Sequence, residues 1–142
     1  MRAGTENIAG IVGMAIALKN NIVELRKNQN HINYLESLLL QKLKENAVPF
    51  VRNGGEHKLP GLISLSFAGK QGEAIMHRMD LMGISIATGS ACNSRDTEIS
   101  HVLQAILLPE NLARGTIRIS LGKDNSEEDV MAIVVALKKI VS

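Results

Sequence analysis

The stretch GTIRISLGKDNSEEDVMAIVVALKKIV (115–141) contains two hydrophobic periodicities, one directly after the other. In its first part, Ile117 and Ile119 alternate with polar residues, among them Arg118. Strict alternation predicts a β-strand with one buried face over 115–122. In its second part (125–141), apolar residues recur at helical spacing, acidic residues fill the first turn and lysines the last. A strand followed by such a helix predicts a sheet covered by helices.

The segments upstream of this stretch extend the same pattern. Gly and Pro residues divide them into short β-rich runs and helical runs, which predict one chain order of α, β, β, α, β, α, β, α. The sequence therefore predicts an α/β protein, more narrowly α+β, with a small, mostly antiparallel sheet packed by helices. The predicted elements before 115 are strands at 48–53, 62–68 and 84–88 and helices at 69–83 and 100–108.

The first 47 residues predict a long helical segment. Apolar residues recur every three or four positions from Ile22 to Leu43, and the segment 11–18 is almost wholly apolar. Polar clusters at 19–21 and 28–30 predict two helices or one kinked helix, because more than 40 residues is long for a single globular helix. The apolar residues at 11–18 occupy more than one side, so we expect a second subunit or another part of the protein to cover them.

Composition excludes several classes of protein. The 142 residues are 45% hydrophobic, enough for one folded domain, and no run of 18 to 20 continuous apolar residues predicts a transmembrane span. The net charge of +2 without a basic block argues against nucleic-acid binding. One cysteine and four scattered histidines argue against a bound metal. The start lacks the pattern of a secretory signal, so we expect a cytoplasmic protein that contacts no membrane.

Cys92 lies in the short polar stretch TGSACNSRD (88–96). Small and polar neighbours are typical of an accessible loop, whereas a core cysteine more often lies in an apolar run. A free thiol has a pKa of about 8.5, and a cation such as Arg95 or His101 would increase its thiolate fraction. Local sequence alone leaves two interpretations open, an inert thiol or a nucleophile.

Three other residues each allow an ordinary and a functional interpretation. Arg118 is either a solvated strand arginine or a bidentate partner for a substrate carboxylate. Thr5, after Gly4, is either a simple helix cap or part of a phosphate site at a helix start. Lys58 follows His57, as a Schiff-base lysine can, but its Gly-rich surroundings predict an ordinary surface lysine.

Five segments in this order together resemble the C-terminal part of cysteine desulfurases of the NifS/IscS type, in the class V aminotransferase superfamily. The most specific part is the GSAC stretch followed by SHVL and IRISLG. The segments are RAGTENIAGIVGMAIAL, LPGLISLSF, GEAIMHRMDLMGISIATGSACNS, SHVLQAI and GTIRISLGKDNSEEDV.

The resemblance implies the small domain of the fold shared by transferases that depend on pyridoxal 5′-phosphate. It implies that the enzyme converts L-cysteine to L-alanine and leaves a persulfide for sulfur-acceptor proteins, such as an iron–sulfur scaffold or thiolation proteins. By position, Cys92 matches the persulfide-carrying nucleophile and Arg118 the residue that holds the substrate carboxylate. Thr5 matches the threonine that reaches the cofactor phosphate of the neighbouring subunit in a homodimer.

The resemblance also implies a missing part, because the family's cofactor lysine lies upstream of RAGTEN. We therefore expect a fragment, with residues 1–47 as a connecting helical segment and 48–142 as a small α/β domain that carries the cysteine. Alone, this fragment is expected to be inactive. Two alternatives stay open: a non-catalytic persulfide carrier or binding module, and the small domain of a class V aminotransferase that uses no thiol.

Overall fold

A computed structural model describes residues 4–55, 57–89 and 99–141 of the chain. Within these ranges five helices and four strands alternate in the order α, β, β, α, β, α, α, β, α. The helices are α1 (Ile8–Glu45), α2 (Gly72–Asp80), α3 (His101–Ala105), α4 (Glu110–Ala113) and α5 (Glu127–Val141). The strands are β1 (Val51–Asn53), β2 (Leu62–Ser66), β3 (Ala87–Thr88) and β4 (Thr116–Ser120).

The four strands form one sheet in the order β1-β2-β4-β3, and every described pairing is antiparallel. β4 is an inner strand, with Arg118 opposite Ser64 of β2 on one side and opposite Ala87 of β3 on the other. The predicted α+β class with a mostly antiparallel sheet is therefore confirmed. The predicted strand at 84–88 is shorter than expected, because only its last two residues pair with β4.

One face of the sheet is apolar and forms the core. Alternation along β2 and β4 places Ile63 opposite Ile119 and Leu65 opposite Ile117, and all four side chains are buried. Helices α1, α2 and α5 cover this face. Their contributions to the core are Leu35, Leu39 and Leu43 of α1, Ile75 and Met79 of α2, and Val130, Ile133, Val134, Ala136, Leu137, Ile140 and Val141 of α5.

The opposite face of the sheet is polar and includes a pair of buried hydroxyl groups. Ser66 and Thr116 are buried there and share a hydrogen bond of 2.7 Å between their hydroxyl groups. The Thr116 hydroxyl also donates to the Leu112 carbonyl at 3.0 Å, which attaches the α4 turn to the sheet. Buried hydroxyls need such partners, so this pair fixes the position of β4 relative to β2.

Helix α1 is one uninterrupted helix of 38 residues, so of the two expected forms, two helices or one kinked helix, the division into two is wrong. Neither polar cluster contains Pro or Gly, and Asn or Lys in a helix costs less than about 1 kcal/mol per residue compared with Ala. The helix starts later than the sequence suggested. Asn7, rather than Thr5, is the N-cap residue, and its side-chain oxygen accepts a hydrogen bond from the Gly10 N–H at 3.0 Å.

The first half of α1 is exposed, including its apolar side chains. Ile8 is 66% exposed and Val23 78%. An 18-residue window within the helix has a mean hydropathy of 1.5 with none of it buried, so length and composition alone would suffice for a membrane span. A helix that packs against further polypeptide passes the same test. Within the described residues the apolar segment 11–18 is exposed, and its covering by a second subunit or another part of the protein stays a prediction.

The predicted helix at 100–108 ends early, and a second short helix follows it. Leu107 has a φ of 55°, and its N–H bonds to the Gln104 carbonyl, so the chain turns sharply after α3. Pro109 then disfavours helical backbone at Leu108 and is itself the N-cap residue of α4. The sequence signal for this break was Pro109, and helix α4 was not predicted.

Candidate functional site

A cleft of about 460 Å³ opens on the polar face of the sheet. Its floor includes Ser64, Thr116 and Arg118 of the two central strands. One wall is the connection after β1, and the opposite wall is the start of α3. The wall residues are Arg52, Asn53, Gly54, Gly55, His57 and Lys58 on one side, and Gly89, Ser100, His101, Val102 and Leu103 on the other, with Leu62 beside the floor.

Arg118 is held at the floor of this cleft by its place in the sheet. Its neighbours in sequence, Ile117 and Ile119, are buried in the core on the other face, while the Arg118 side chain is exposed. Among the described residues it forms no ion pair. A guanidinium fixed on a strand with its donors open to a cleft is suited to bidentate binding of a carboxylate.

Cys92 lies outside the described residues. The residues on either side of that part of the chain do have described positions, and both Gly89 and Ser100 line the cleft. The described residues on either side of the Cys92 segment therefore lie at the same wall of the cleft. Of the predicted site residues, the structure describes Arg118 in the cleft and Cys92 only through these two flanking residues.

Thr5 is described, and the structure does not bring it to the cleft. The residue is exposed and precedes α1. Between Ile8 and Glu36, where α1 meets the cleft wall, 28 residues of helix rise about 42 Å along the axis. The Thr5 hydroxyl therefore does not reach the Arg118 cleft of its own chain.

A buried carboxylate behind the cleft wall was missed from the sequence. Glu36 is only 2% exposed and forms ion pairs with Arg52 and Lys58, and its second oxygen accepts a hydrogen bond from the Gly61 N–H at 3.1 Å. Lys58 is exposed, which confirms the prediction of a surface lysine, and its amine in addition pairs with this carboxylate. The available signal was a glutamate four residues after Ile32, within the apolar stripe of the helix.

The described ranges contain no group of three or more His, Asp or Glu side chains that could hold a metal ion. His57 and His101 line the same cleft from opposite walls. The charged residues that line the cleft are Arg52, Lys58 and Arg118, all cationic, and Glu36 pairs with the first two behind one wall. Such a lining favours an anionic ligand.

Comparison with known proteins agrees with this geometry. The family model described as aminotransferase class-V matches residues 1–133. The chain belongs to the class-V aminotransferase family. Members of this family named cysteine desulfurase are similar over 99% of the chain: a protein named IscS from Dictyoglomus turgidum is 39% identical, and one named NifS from Azotobacter vinelandii is 33% identical. The chain spans 36% and 35% of these two relatives.

Solved structures of class-V relatives show the same fold. A structure titled NifS-like protein superposes with a TM-score of 0.81 at 32% identity, covering 98% of this chain and 35% of that chain. A NifS-like protein from Rickettsia africae gives a TM-score of 0.82 at 27% identity, covering 98% and 36%. The small-domain fold implied by the sequence resemblance is thus confirmed.

Class-V aminotransferases depend on pyridoxal 5′-phosphate, and the described residues fit one part of its binding. The exposed hydroxyl of Thr5, just before the N-terminus of α1, is a donor of the kind that a phosphate accepts from. The cofactor lysine finds no counterpart in the cleft: Lys58 is the lysine that lines its described part, and Glu36 holds that amine. In the described residues, the cleft thus offers the Arg118 guanidinium, and Thr5 offers a hydroxyl at the start of a helix.

Proposed function

We propose that this chain is the substrate-clamping and sulfur-carrying part of a cysteine desulfurase. The observation that carries the proposal is the cleft in which Arg118 forms the floor and the two residues flanking the Cys92 segment form part of one wall. A cation that binds a carboxylate and a thiol that accepts sulfur are the two groups that this reaction requires from the chain. The proposed substrate is L-cysteine.

Arg118 binds the carboxylate of L-cysteine through two parallel N–H···O hydrogen bonds and orients the substrate. The Cys92 thiolate attacks the substrate sulfur, so that an S–S bond forms as the carbon–sulfur bond breaks. The electron pair of that bond stays with the substrate carbon, which gains a proton as L-alanine forms. Pyridoxal phosphate, when bound, supplies the electron sink for this cleavage.

Chain connectivity supports the role of Cys92. It follows Gly89 by three residues, and three residues of chain span at most about 11 Å. Gly89 itself lines the cleft. This connectivity supports a thiol that approaches a substrate held by Arg118, as the sulfur transfer requires.

The long exposed helix supports a homodimer in which Thr5 serves the other copy. Because Thr5 is separated from its own cleft wall by about 42 Å of helix, we infer that it contacts the cofactor phosphate at a neighbouring subunit's site. The first half of α1 would pack against the lysine-bearing polypeptide that the chemistry requires. We infer that the persulfide on Cys92 passes to cytoplasmic sulfur-acceptor proteins, such as an iron–sulfur scaffold, without nucleic-acid or membrane binding.

The proposal is tested with the chain and a second polypeptide that corresponds to the part of the Dictyoglomus turgidum relative preceding the matched region. L-Alanine released from L-cysteine is measured with pyridoxal phosphate present. The chain alone should release none, because the electron sink is not anchored. The co-purified complex should release L-alanine, and Cys92→Ser should abolish the release while Ser90→Ala retains it.

Three results would contradict the proposal. Full alanine release by the Cys92→Ser complex would exclude the thiol as nucleophile. A cofactor-loaded complex that transaminates amino acids, and leaves cysteine intact, would instead favour an aminotransferase that uses no thiol. A chain whose Cys92 thiolate takes up one sulfur atom from a polysulfide, which is shortened by that atom, but whose complex releases no alanine, would favour the non-catalytic persulfide carrier.

A further inference from the structure

The Glu36 carboxylate joins three parts of the chain that are distant in sequence. It lies on α1, and its first oxygen, Oε1, pairs with both Arg52 Nη2 on β1 and Lys58 Nζ in the following connection. Its second oxygen, Oε2, accepts the hydrogen bond from Gly61 N at 3.1 Å. Both oxygens are thereby used, and the residue is buried. Desolvation of a buried carboxylate is costly, and its ion pairs and hydrogen bonds must all be formed to offset that cost.

Gly61 makes this attachment rigid. Its φ of +77° is one that L side chains rarely adopt, and its carbonyl accepts a hydrogen bond from the Leu121 N–H at 2.9 Å. A Cβ at this position would lie 2.5 Å from the Ile32 side chain and 2.6 Å from the Leu121 carbonyl oxygen. The chain between Lys58 and Gly61 is therefore clamped between α1 and the end of β4.

The two cations held by Glu36 belong to the cleft. Arg52 and Lys58 line it together with Arg118. Together, ionised Glu36, Arg52 and Lys58 carry a net charge of +1. Without the Glu36 charge, Arg52 and Lys58 carry +2. Free of the carboxylate, either cation would compete with Arg118 for an anionic substrate, since flexible ammonium and guanidinium groups bind carboxylates readily.

We propose that Glu36 is a positioning residue for the cleft, which holds Lys58 and Arg52 against its wall so that Arg118 alone binds the substrate carboxylate. This inference rests on the proposed function for its substrate, but the anchoring of Lys58 is a property of the chain itself. Glu36 also lies on the helix that continues into the exposed half of α1. Glu36 thus connects the cleft wall to helix α1.

The anchoring is tested without any activity. The chain and its Glu36→Gln variant are treated with limiting N-hydroxysuccinimide acetate, and acetylation of each lysine is followed by peptide mass spectrometry. Loss of a charge-assisted contact should accelerate labelling of Lys58 about tenfold. The control is Glu45→Gln, which removes the exposed carboxylate paired with Lys42 on the same helix, and it should change Lys58 labelling less than about twofold.

The positioning role is tested in the active complex described above. Glu36→Gln should raise the KM for L-cysteine about tenfold and leave kcat within about threefold, because the competing cations affect binding. A purely structural loss would reduce the amount of active complex, which lowers apparent kcat and leaves KM unchanged. The double variant Glu36→Gln with Lys58→Gln should recover part of the KM, since one competitor is removed.

Each result decides a separate question. Unchanged Lys58 labelling in Glu36→Gln would overturn the anchoring, whatever the complex does. Accelerated labelling with an unchanged KM would overturn the positioning role. A wild-type complex that releases no alanine would count against the proposed function, while the labelling result would still stand. Should Glu36→Gln fail to fold by circular dichroism, Glu36→Asp keeps the charge but shortens the side chain, and it should show a smaller acceleration in the same assay.

Discussion

At the scale of single residues, Arg118 is distinguished by the rigidity of its support. Its strand is bonded on both sides, and its two neighbours in sequence are anchored in the core. Arg118→Lys keeps the charge but removes the fork of donors, so we expect kcat/KM for L-cysteine in the complex to fall about 10- to 100-fold. Steady-state kinetics would measure the loss.

Arg114→Lys is the matched control for Arg118→Lys. Arg114 lies four residues earlier, pairs with Glu110 on the surface and does not line the Arg118 cleft. A surface ion pair contributes little, so kcat/KM should stay within about twofold. An unchanged kcat/KM in Arg118→Lys would show that its charge alone suffices, and equal losses in the two variants would show that the loss is not specific to the Arg118 cleft.

The start of α5 shows a second residue-scale effect, which depends on pH. The Asp129 carboxylate accepts hydrogen bonds from the Ser126 N–H at 2.9 Å and from the Asn125 side chain, and Ser126 in turn accepts from the Asp129 N–H at 3.3 Å. The Ser126 backbone bond, and after it the Asn125 bond, lower the pKa of Asp129 below its ordinary value. These reciprocal hydrogen bonds cap the start of α5.

Because the folded-state pKa of Asp129 is depressed, its stabilising contribution is present above the ordinary aspartate pKa of about 3.9 and is lost as pH falls through the lower, folded value. Asp129→Asn should therefore be less stable than the wild type at pH 6, and the difference should shrink steadily below pH 4. Urea unfolding at several pH values measures this. A difference that stays constant down to pH 2 would exclude ionisation as its origin.

At the scale of elements, two of the three glycines in the connection between β1 and β2 differ in how they tolerate a side chain. Gly61→Ala would place a methyl group against Ile32 and the Leu121 carbonyl in a backbone region that disfavours alanine, so we expect a destabilisation of about 2–4 kcal/mol. Gly55→Ala meets no described atom within 4 Å and should change stability by less than about 1 kcal/mol. The midpoints of urea unfolding distinguish them, and equal effects would contradict the clamp at Gly61.

Most elements followed from local patterns, because alternation in β2 and β4 and the apolar stripe of α5 each report burial directly. The bounds of β3 within the predicted strand at 84–88 did not, since its pairing with Arg118 and Ile117 of a distant strand sets them. In the site, residue types and resemblance predicted Arg118. Glu36 was missed because its role exists only where Arg52 and Lys58 converge on it, and no local pattern contains that contact.

At the scale of the whole molecule, the exposed half of α1 predicts self-association of the chain when it is alone in solution. In a single copy, the apolar side chains of this half of the helix are exposed to water, and contiguous exposed apolar surface favours association. Sedimentation velocity should show species larger than a monomer that dissociate on dilution. Replacing Ile11, Met14 and Leu18, which share one face of the helix, with Gln should shift the population to monomer.

The control for this prediction replaces polar residues of the same helix, Lys19→Gln and Lys27→Gln, which leaves the apolar surface intact. It should sediment like the wild type. Both variants should retain the far-ultraviolet circular dichroism of the wild type if the helix persists. A wild-type chain that sediments as a monomer at all concentrations would show that this surface does not bind a second copy.

The length of α1 has a genetic consequence if each reaction centre draws Thr5 from one copy and Arg118 from the other. A cell that carries two differently damaged alleles, one altered at Thr5 and one at Arg118, would build mixed pairs in which one of the two centres combines both intact residues. Such a cell would recover growth that neither allele supports alone. Two alleles damaged at Arg118 would show no such complementation.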